Sequence, residues 1–369
     1  MLVITVRLHR MIESAPGTAA TARVARTIDS EFRPRANALN ALRLAFAIAV
    51  IWWHSFALTG NTLAADPLRQ ALSNWPVDSF FAISGFLIVG SWRRTPSWRR
   101  FLTARVLRIF PAFWVCLVVT GLVLGPVLAL STGHDAISTS NLTYVARNFL
   151  LRVNQYGIAG TLEHLPYPNV WNGSLWTLWW EFICYLGVLG LGLLRVIGTR
   201  WAVASAFALS VLGLAVTAYG PVTDYYLTHG SRFGVMFLAG ALIQRFAGRL
   251  PLTWPLVGAA LVLASSSTFL SDYRILGALP LAYAVIGVGA LASSPRLHIR
   301  NDVSYGTYIY AFPVQQILAT AGFGHRGVAV FAFTATVCTL PVAALSWFTI
   351  EKRALTLKRQ RREATTISA

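Results

Sequence analysis

Ten helix-length apolar segments joined by mostly short polar connections leave this chain few folds, and the first of them carries two ionisable residues. Leu39–Leu58 reads LNALRLAFAIAVIWWHSFAL, long enough to cross a hydrocarbon core about 30 Å thick. It nevertheless contains Arg43 and His54. At about 100° and ~1.5 Å per residue, the two lie within roughly 20° of one helix face and about 16 Å apart along the axis. A charged side chain inside a span is costly and points into a protein interior or a wet cavity. One polar stripe along this helix predicts a buried site.

The other apolar runs lie near 77–90, 109–130, 174–194, 201–219, 231–246, 253–270, 275–292, 304–321 and 327–349. Hydrophobic residues make up 56% of the chain and charged ones 12%. Such a composition cannot cover a water-facing surface, so lipid must solvate much of the protein. The runs are too long and too uniformly apolar for the alternating strands of a β-barrel. The expected fold is an all-α integral membrane protein, a bundle of about ten transmembrane helices spanning residues 38–352. Residues 1–37 read as a polar cytoplasmic tail, disordered or a surface helix, and 353–369 as a basic cytoplasmic tail. The connection at 131–172 is rich in Asn, Tyr, Gly and Pro, and loops of this length are usually functional or disordered. No apolar core precedes a small-residue cleavage site at the N-terminus, so no cleaved signal peptide is expected.

The formal charge of +18 would suggest nucleic acid in a soluble protein, but topology explains it here. With a cytoplasmic N-terminus, only Arg69, Arg147, Arg152, Arg232, Arg274 and Arg326 of the 31 Lys+Arg fall on the outer side. The other 25 lie inside, as the positive-inside rule requires. Both termini are then cytoplasmic, with lipid rather than nucleic acid as the partner. Cys116, Cys184 and Cys338 all fall in spans without CxxC spacing, and the seven histidines are not closely spaced. Neither set suggests a disulfide framework or a metal site.

Each chemically suggestive residue has a plainer structural alternative. The imidazole of His54 can take and return a proton near neutral pH, or it can be a satisfied polar residue between helices. Arg105 and Arg108, three residues apart, share a helix face and can grip a phosphorylated ligand; equally, the stretch SWRRTPSWRRFLTARVLR is a basic loop anchored on anionic lipid. Ser84 and Gly85 allow close approach of a ligand or of another helix. Glu181 must be paired, protonated or face a cavity. Asp78 is expected near the outer surface, where solvation makes it cheap. Trp176, Trp179 and Trp180 read as an interfacial belt, and the sequon Asn172-Gly173-Ser174 is discounted because it hugs a membrane boundary.

Several pieces in order resemble the acyltransferase family 3 membrane proteins, mostly bacterial O-acyltransferases that modify glycans. Arg43 and His54 are similar to that family's R-x10-H pair. Phe80-Phe81 with Ser84-Gly85-Phe86-Leu87 resembles FFxxSGFL, and Arg105, Arg108 and Pro111 resemble RxxRIxP. Asn172 to Leu178 with Glu181, Ser304-Tyr305-Gly306 with Tyr308 to Pro313, and Trp347 to Leu355 resemble NGxLWTLxxE, SYGxYLxHxP and W-x-x-E-K-x-x-L. Two departures stand out: Ala311 replaces a frequent histidine, and Arg353 replaces a proline. The resemblance implies acyl transfer, most often acetyl, from cytoplasmic acyl-CoA (acetyl-CoA) to a hydroxyl of a sugar or lipid-linked glycan. Arg105 and Arg108 would hold the donor phosphates, with its pantetheine arm passing Ser84 and Gly85. His54 would be the general base or carry the acyl group covalently, Arg43 would orient the donor or balance charge, and Glu181 with the long outer loop would border the acceptor entrance. No metal is implied, and the location implied is the bacterial inner membrane. The rival reading is a proton-coupled transporter or flippase using Arg43 and His54 as an intramembrane polar site.

Overall fold

All ten apolar segments are helical in the computed structural model, which describes residues 26–63, 66–292 and 294–356. A short α1 (Ile28–Glu31) is followed by α2 (Leu39–Leu58), α3 (Leu68–Arg94) and α4 (Trp98–Ser131). The connection after α4 contains α5 (Thr139–Asn148) and leads to α6 (Trp176–Leu193), α7 (Arg200–Tyr219) and α8 (Tyr225–Phe246). Then come α9 (Trp254–Ser267), α10 (Arg274–Leu291), α11 (Ser304–Thr320) and α12 (Val328–Thr356). There is no strand among the described residues, only an isolated bridge between Thr27 and Pro251.

Seven helices are long and apolar enough to cross a membrane: α2, α3, α4, α6, α7, α10 and α12. The other three fall short for different reasons. The 14 residues of α9 reach only about 21 Å at 1.5 Å per residue. The 17 residues of α11 are also short, and the opening turns of α8 carry Thr228, His229, Ser231 and Arg232. The chain is an all-α integral membrane protein; of the three helices that fall short, α11 is mostly buried among the others, whereas α9 keeps most of its surface exposed.

Two boundaries differ from the hydropathy reading. The second span starts nine residues early, at Leu68, because tertiary contacts recruit a polar stretch: Gln70 donates to the Leu270 carbonyl at 3.0 Å and accepts from the Tyr273 N–H at 3.3 Å. Most of the basic stretch expected as a loop is the beginning of α4, with Thr95–Ser97 as the link. Arg93, Arg94, Arg99 and Arg100 mark this as the basic end of the bundle; α5 and the connection into α6 mark the opposite, loop end.

The tightest crossing joins α3 to α8. A Cβ on Gly85 would stand 1.8 Å from the Phe237 carbonyl oxygen, and one on Gly240 would stand 1.9 Å from that of Ala82. Phe81 stacks on Phe233 beside them, ring centroids 4.5 Å apart. Glycines let helices approach where lipid supplies no hydrophobic drive for association. On the other side of α3, α2 lies against α11 and α12, and the Gln315 amide donates to Ile51 O and Ser55 Oγ, both at 2.9 Å.

The long connection is folded rather than open. Tyr144, Leu151, Ile158 and Trp171 are buried. A π turn at Thr120–Leu124 of α4 frees the Gly121 carbonyl, which the Asn141 side-chain amide takes up at 2.8 Å. Asn172 is buried and donates to Ile309 O at 2.8 Å, so the sequon is a structural joint between the connection and α11. Asp78 is likewise fully buried instead of solvated. It accepts from Arg274 Nε at 2.7 Å and Tyr273 OH at 2.5 Å, with Arg232 at 4.0 Å. The outer arginines seen in the sequence supply the countercharge that burial demands.

Gly85→Ala and Gly240→Ala should each destabilise the protein by about 1–3 kcal/mol or more, since the new methyl meets backbone rather than a movable side chain. Gly187→Ala on α6, where nothing lies within 4 Å of the added Cβ, should be neutral. Thermal unfolding of the purified protein in detergent measures all three.

Candidate functional site

Three guanidiniums and a carboxylate converge on one cavity near the basic end. About 120 Å³ in volume, it is lined by Arg43 of α2, Ser84 of α3, Arg105 and Arg108 of α4, and Glu181 and Tyr185 of α6. At about 10–15 Å³ of such space per molecule it takes several waters, or the end of a flexible arm. A smaller adjoining cavity of about 30 Å³ shares Arg43, Glu181 and Tyr305 and continues past Phe80, Thr177 and Tyr308.

Two buried carboxylates that the sequence reading left without a role organise the arginines. Asp302, just before α11, accepts from Arg43 Nη1 at 2.5 Å and Arg108 Nη2 at 2.6 Å on the same Oδ2. The Ser304 hydroxyl donates to its other oxygen. Arg108 reaches on to Glu351 at 3.4 Å, and Ser346 donates to the second oxygen of Glu351 at 3.2 Å. Glu351 arrives there through a π turn at Trp347–Glu351 in α12, a local widening of the kind found at functional sites. Tyr305 and Trp347 lie 5.5 and 5.7 Å beneath the Arg108 guanidinium. Burial alone would push the Asp302 carboxyl up, but Arg43 and Arg108 beside it hold it below the usual carboxylate range. Its stabilising charge is therefore complete at neutral pH and is lost only as pH falls through that lowered value.

Arg105 differs from its partner Arg108. No carboxylate pairs with it among the described residues; its guanidinium lies 5.8 Å over the Tyr185 ring, and its Nε is buried without a hydrogen bond. Glu181 accepts from Ser84 Oγ at 2.8 Å and from the Tyr185 hydroxyl, which ties α3 to α6 across the cavity. Gly85, one residue on, faces the α8 crossing instead and lines neither cavity.

His54 lies three turns along α2 from Arg43, towards the loop end, and lines neither cavity. Its ring meets Phe312 edge to face, centroids 5.2 Å apart, and Phe312 in turn meets Tyr167 of the long connection at 5.9 Å. Nδ1 is buried without a hydrogen bond to another side chain. The neighbouring Gln315 also has a buried, unpartnered Oε1. Tyr308, the last polar residue of the small cavity, is one helical turn from Phe312 on α11. Its hydroxyl is tied to Thr177 Oγ1 at 2.6 Å.

Asp302→Ala leaves the Arg43 guanidinium without a carboxylate and Arg108 with Glu351 alone, and should cost about 3–5 kcal/mol, read as a lowered melting temperature in detergent. Asp302→Asn, which keeps the size but loses the charge, should fall between. An unchanged melting temperature for Asp302→Ala would rule out the shared carboxylate as the brace of this site.

Comparison with known proteins follows the same elements. A model of the acyltransferase domain of acyltransferase family 3 matches residues 36–348, from just before α2 to the π turn of α12. The chain is 28% identical over 337 residues to a protein named O-acetyl transferase from Shigella phage Sf6, covering 87% of this chain and 97% of that one. It is 29% identical over 351 residues to Nodulation protein 10 of Rhizobium leguminosarum bv. viciae, covering 86% and 91%. No solved structure matches. The chain belongs to acyltransferase family 3 and is a multi-pass membrane acyltransferase of the O-acylating kind.

Proposed function

We propose that this protein moves an acetyl group from cytoplasmic acetyl-CoA to a hydroxyl of a sugar or lipid-linked glycan. The observation that carries the reading is the arginine-lined cavity within a bundle of this family. Its Arg105 keeps an unsatisfied buried N–H, a donor held ready for an anion or a carbonyl oxygen. The basic end faces the cytoplasm by the charge rule, the side from which acyl-CoA comes. In the bacterial inner membrane, the loop end then faces the periplasm and the acceptor.

In this reading Arg105 binds the donor near its phosphates, while Asp302 and Glu351 fix Arg43 and Arg108 as a preset wall. A wall held in place before binding costs no reorganisation during reaction. The cavity holds only the narrow end of the donor, so the nucleotide stays at the basic mouth. The acyl-bearing arm passes Ser84 and Glu181 and then Tyr308 towards His54. There the imidazole takes the proton of the acceptor hydroxyl as its oxygen attacks the thioester carbonyl. The C–S bond breaks, and the imidazolium returns that proton to the departing thiolate, leaving the O-acyl ester and free thiol. Glu181 acts as a positioning residue through Ser84 and Tyr185.

His54→Ala should lower acetyl transfer by about 10²–10⁴-fold with an unchanged amount of protein in the membrane. The measurement is transfer of labelled acetyl from acetyl-CoA to surface glycan in purified membranes. A His54→Ala protein that still transfers at near wild-type rate sinks the base assignment, and Glu181, which lines both cavities, becomes the candidate. Arg105→Ala should raise the KM for acetyl-CoA about tenfold to a hundredfold, the loss of one charge-assisted hydrogen bond.

A further inference from the structure

A third cavity, at the loop end, has a chemistry unlike the other two. It measures about 170 Å³ and lies between the connection into α6 and the first turns of α6 and α8. Its walls are aromatic: Tyr156, Trp176, Trp179, Tyr225 and Tyr226, with Arg152 and Asn154 at the polar side. The hydroxyls of the three tyrosines make no hydrogen bond among the described residues, and neither does the Arg152 guanidinium. Asn154 uses its amide nitrogen on the carbonyls of Arg147 and Arg152 at 2.9 and 3.2 Å, which leaves its Oδ1 without a partner.

The cavity is built rather than accidental. Asn148, buried in α5, accepts the backbone N–H groups of Asn154 and Gln155 at 2.8 and 3.1 Å. Gln155 donates to Ser140 O and Gly157 O, each at 2.9 Å. These bonds fix the segment that presents Arg152, Asn154 and Tyr156. Tyr225 and Tyr226 are each 52% exposed, yet they are braced from behind by Trp180, with centroids 6.2 and 6.3 Å away. Rings that a folded protein holds at a surface with free polar tips offer an apolar face and a wet edge together.

We infer that this cleft is a saccharide platform, which holds one sugar unit of the acceptor against Trp176, Trp179 and Tyr226. A pyranose has a face of C–H groups that lies on an aromatic ring and a rim of hydroxyls that both donate and accept. The free phenol hydroxyls, Asn154 Oδ1 and Arg152 meet those needs from fixed positions. The volume suits a single sugar unit. A phospholipid headgroup would need charge more than ring faces, and here one guanidinium stands among five rings. The inference rests on the proposed transfer to a glycan and assigns where that glycan docks. It also places Trp176 and Trp179 on a binding surface instead of in a membrane belt. On α6 these two tryptophans lie within two turns of Thr177 and Glu181, so one helix carries both the platform and part of the inner cavity wall.

Saturation-transfer NMR on the full chain in nanodiscs tests the platform, with methyl glycosides of glucose, galactose, mannose and rhamnose as probes. Ring C–H protons of at least one glycoside should take up saturation. The signal should weaken about twofold to tenfold in Trp179→Leu and Tyr226→Leu, and Gly187→Ala, on the same helix with nothing near the added methyl, should leave it unchanged. Tyr226→Leu guards against a folding artefact, because that ring is half exposed. A wild-type protein that saturates no glycoside, or ring variants that keep the full signal, overturns the platform. So does a signal displaced by phosphatidylglycerol in the nanodisc, which would make the cleft a lipid site. Glycoside binding with undiminished transfer by His54→Ala would sink only the base assignment.

Discussion

One carboxylate oxygen shared by two guanidiniums sets the geometry of the basic end. Asp302 Oδ2 lies 2.5 Å from Arg43 and 2.6 Å from Arg108, and each arginine comes from a different helix. In a low-dielectric interior an unpaired charge is far more costly than a paired one. The three elements α2, α4 and the start of α11 therefore have little freedom to separate. Glu351 extends the brace to α12. Arg105, one turn from Arg108 on the same helix, is the guanidinium left over, and that difference turns a structural network into a cavity with an unmet donor.

The same economy of charge operates at the other end. Asp78, Arg274, Asp272 and Arg232 form a second buried set that locks α3 to α8 and α10. Between the two charged layers the bundle is held by close backbone approach, with Gly85 and Gly240 seated against opposing carbonyls. Helices gain little by burying Leu against Leu in lipid, so small residues and ion pairs carry the specificity of packing. This fixes the frame that carries the inner cavity, His54 and the aromatic cleft.

The distance between the arginine cavity and His54 gives the molecule a two-ended character. Residues 305, 308 and 312 of α11 run alongside 43, 50 and 54 of α2, so a polar beginning grades into an aromatic end at Phe312. The long connection reaches the same ring through Tyr167.

The all-α membrane class and the position of every apolar helix were legible in the sequence, because lipid enforces long apolar runs irrespective of neighbours. The stripe of Arg43 and His54 was legible for the same reason, since helical spacing is local. Partnership was not. Asp302 lies 259 residues from Arg43 and Glu351 lies 243 residues from Arg108, and nothing local marks either as a countercharge. Asp78 read as a surface acid because hydropathy counts the chain and not its neighbours. That Trp176 and Trp179 line a cleft was not legible, because a ring at a membrane boundary and a ring in a cleft have the same sequence signature. Gly85 belonged to packing and Ser84 to the cavity, a distinction set by 100° of helix rotation against two different neighbours. Composition and periodicity fixed what each segment had to be, and only three-dimensional packing decided which charges met, because ion pairing depends on distance in space and not along the chain.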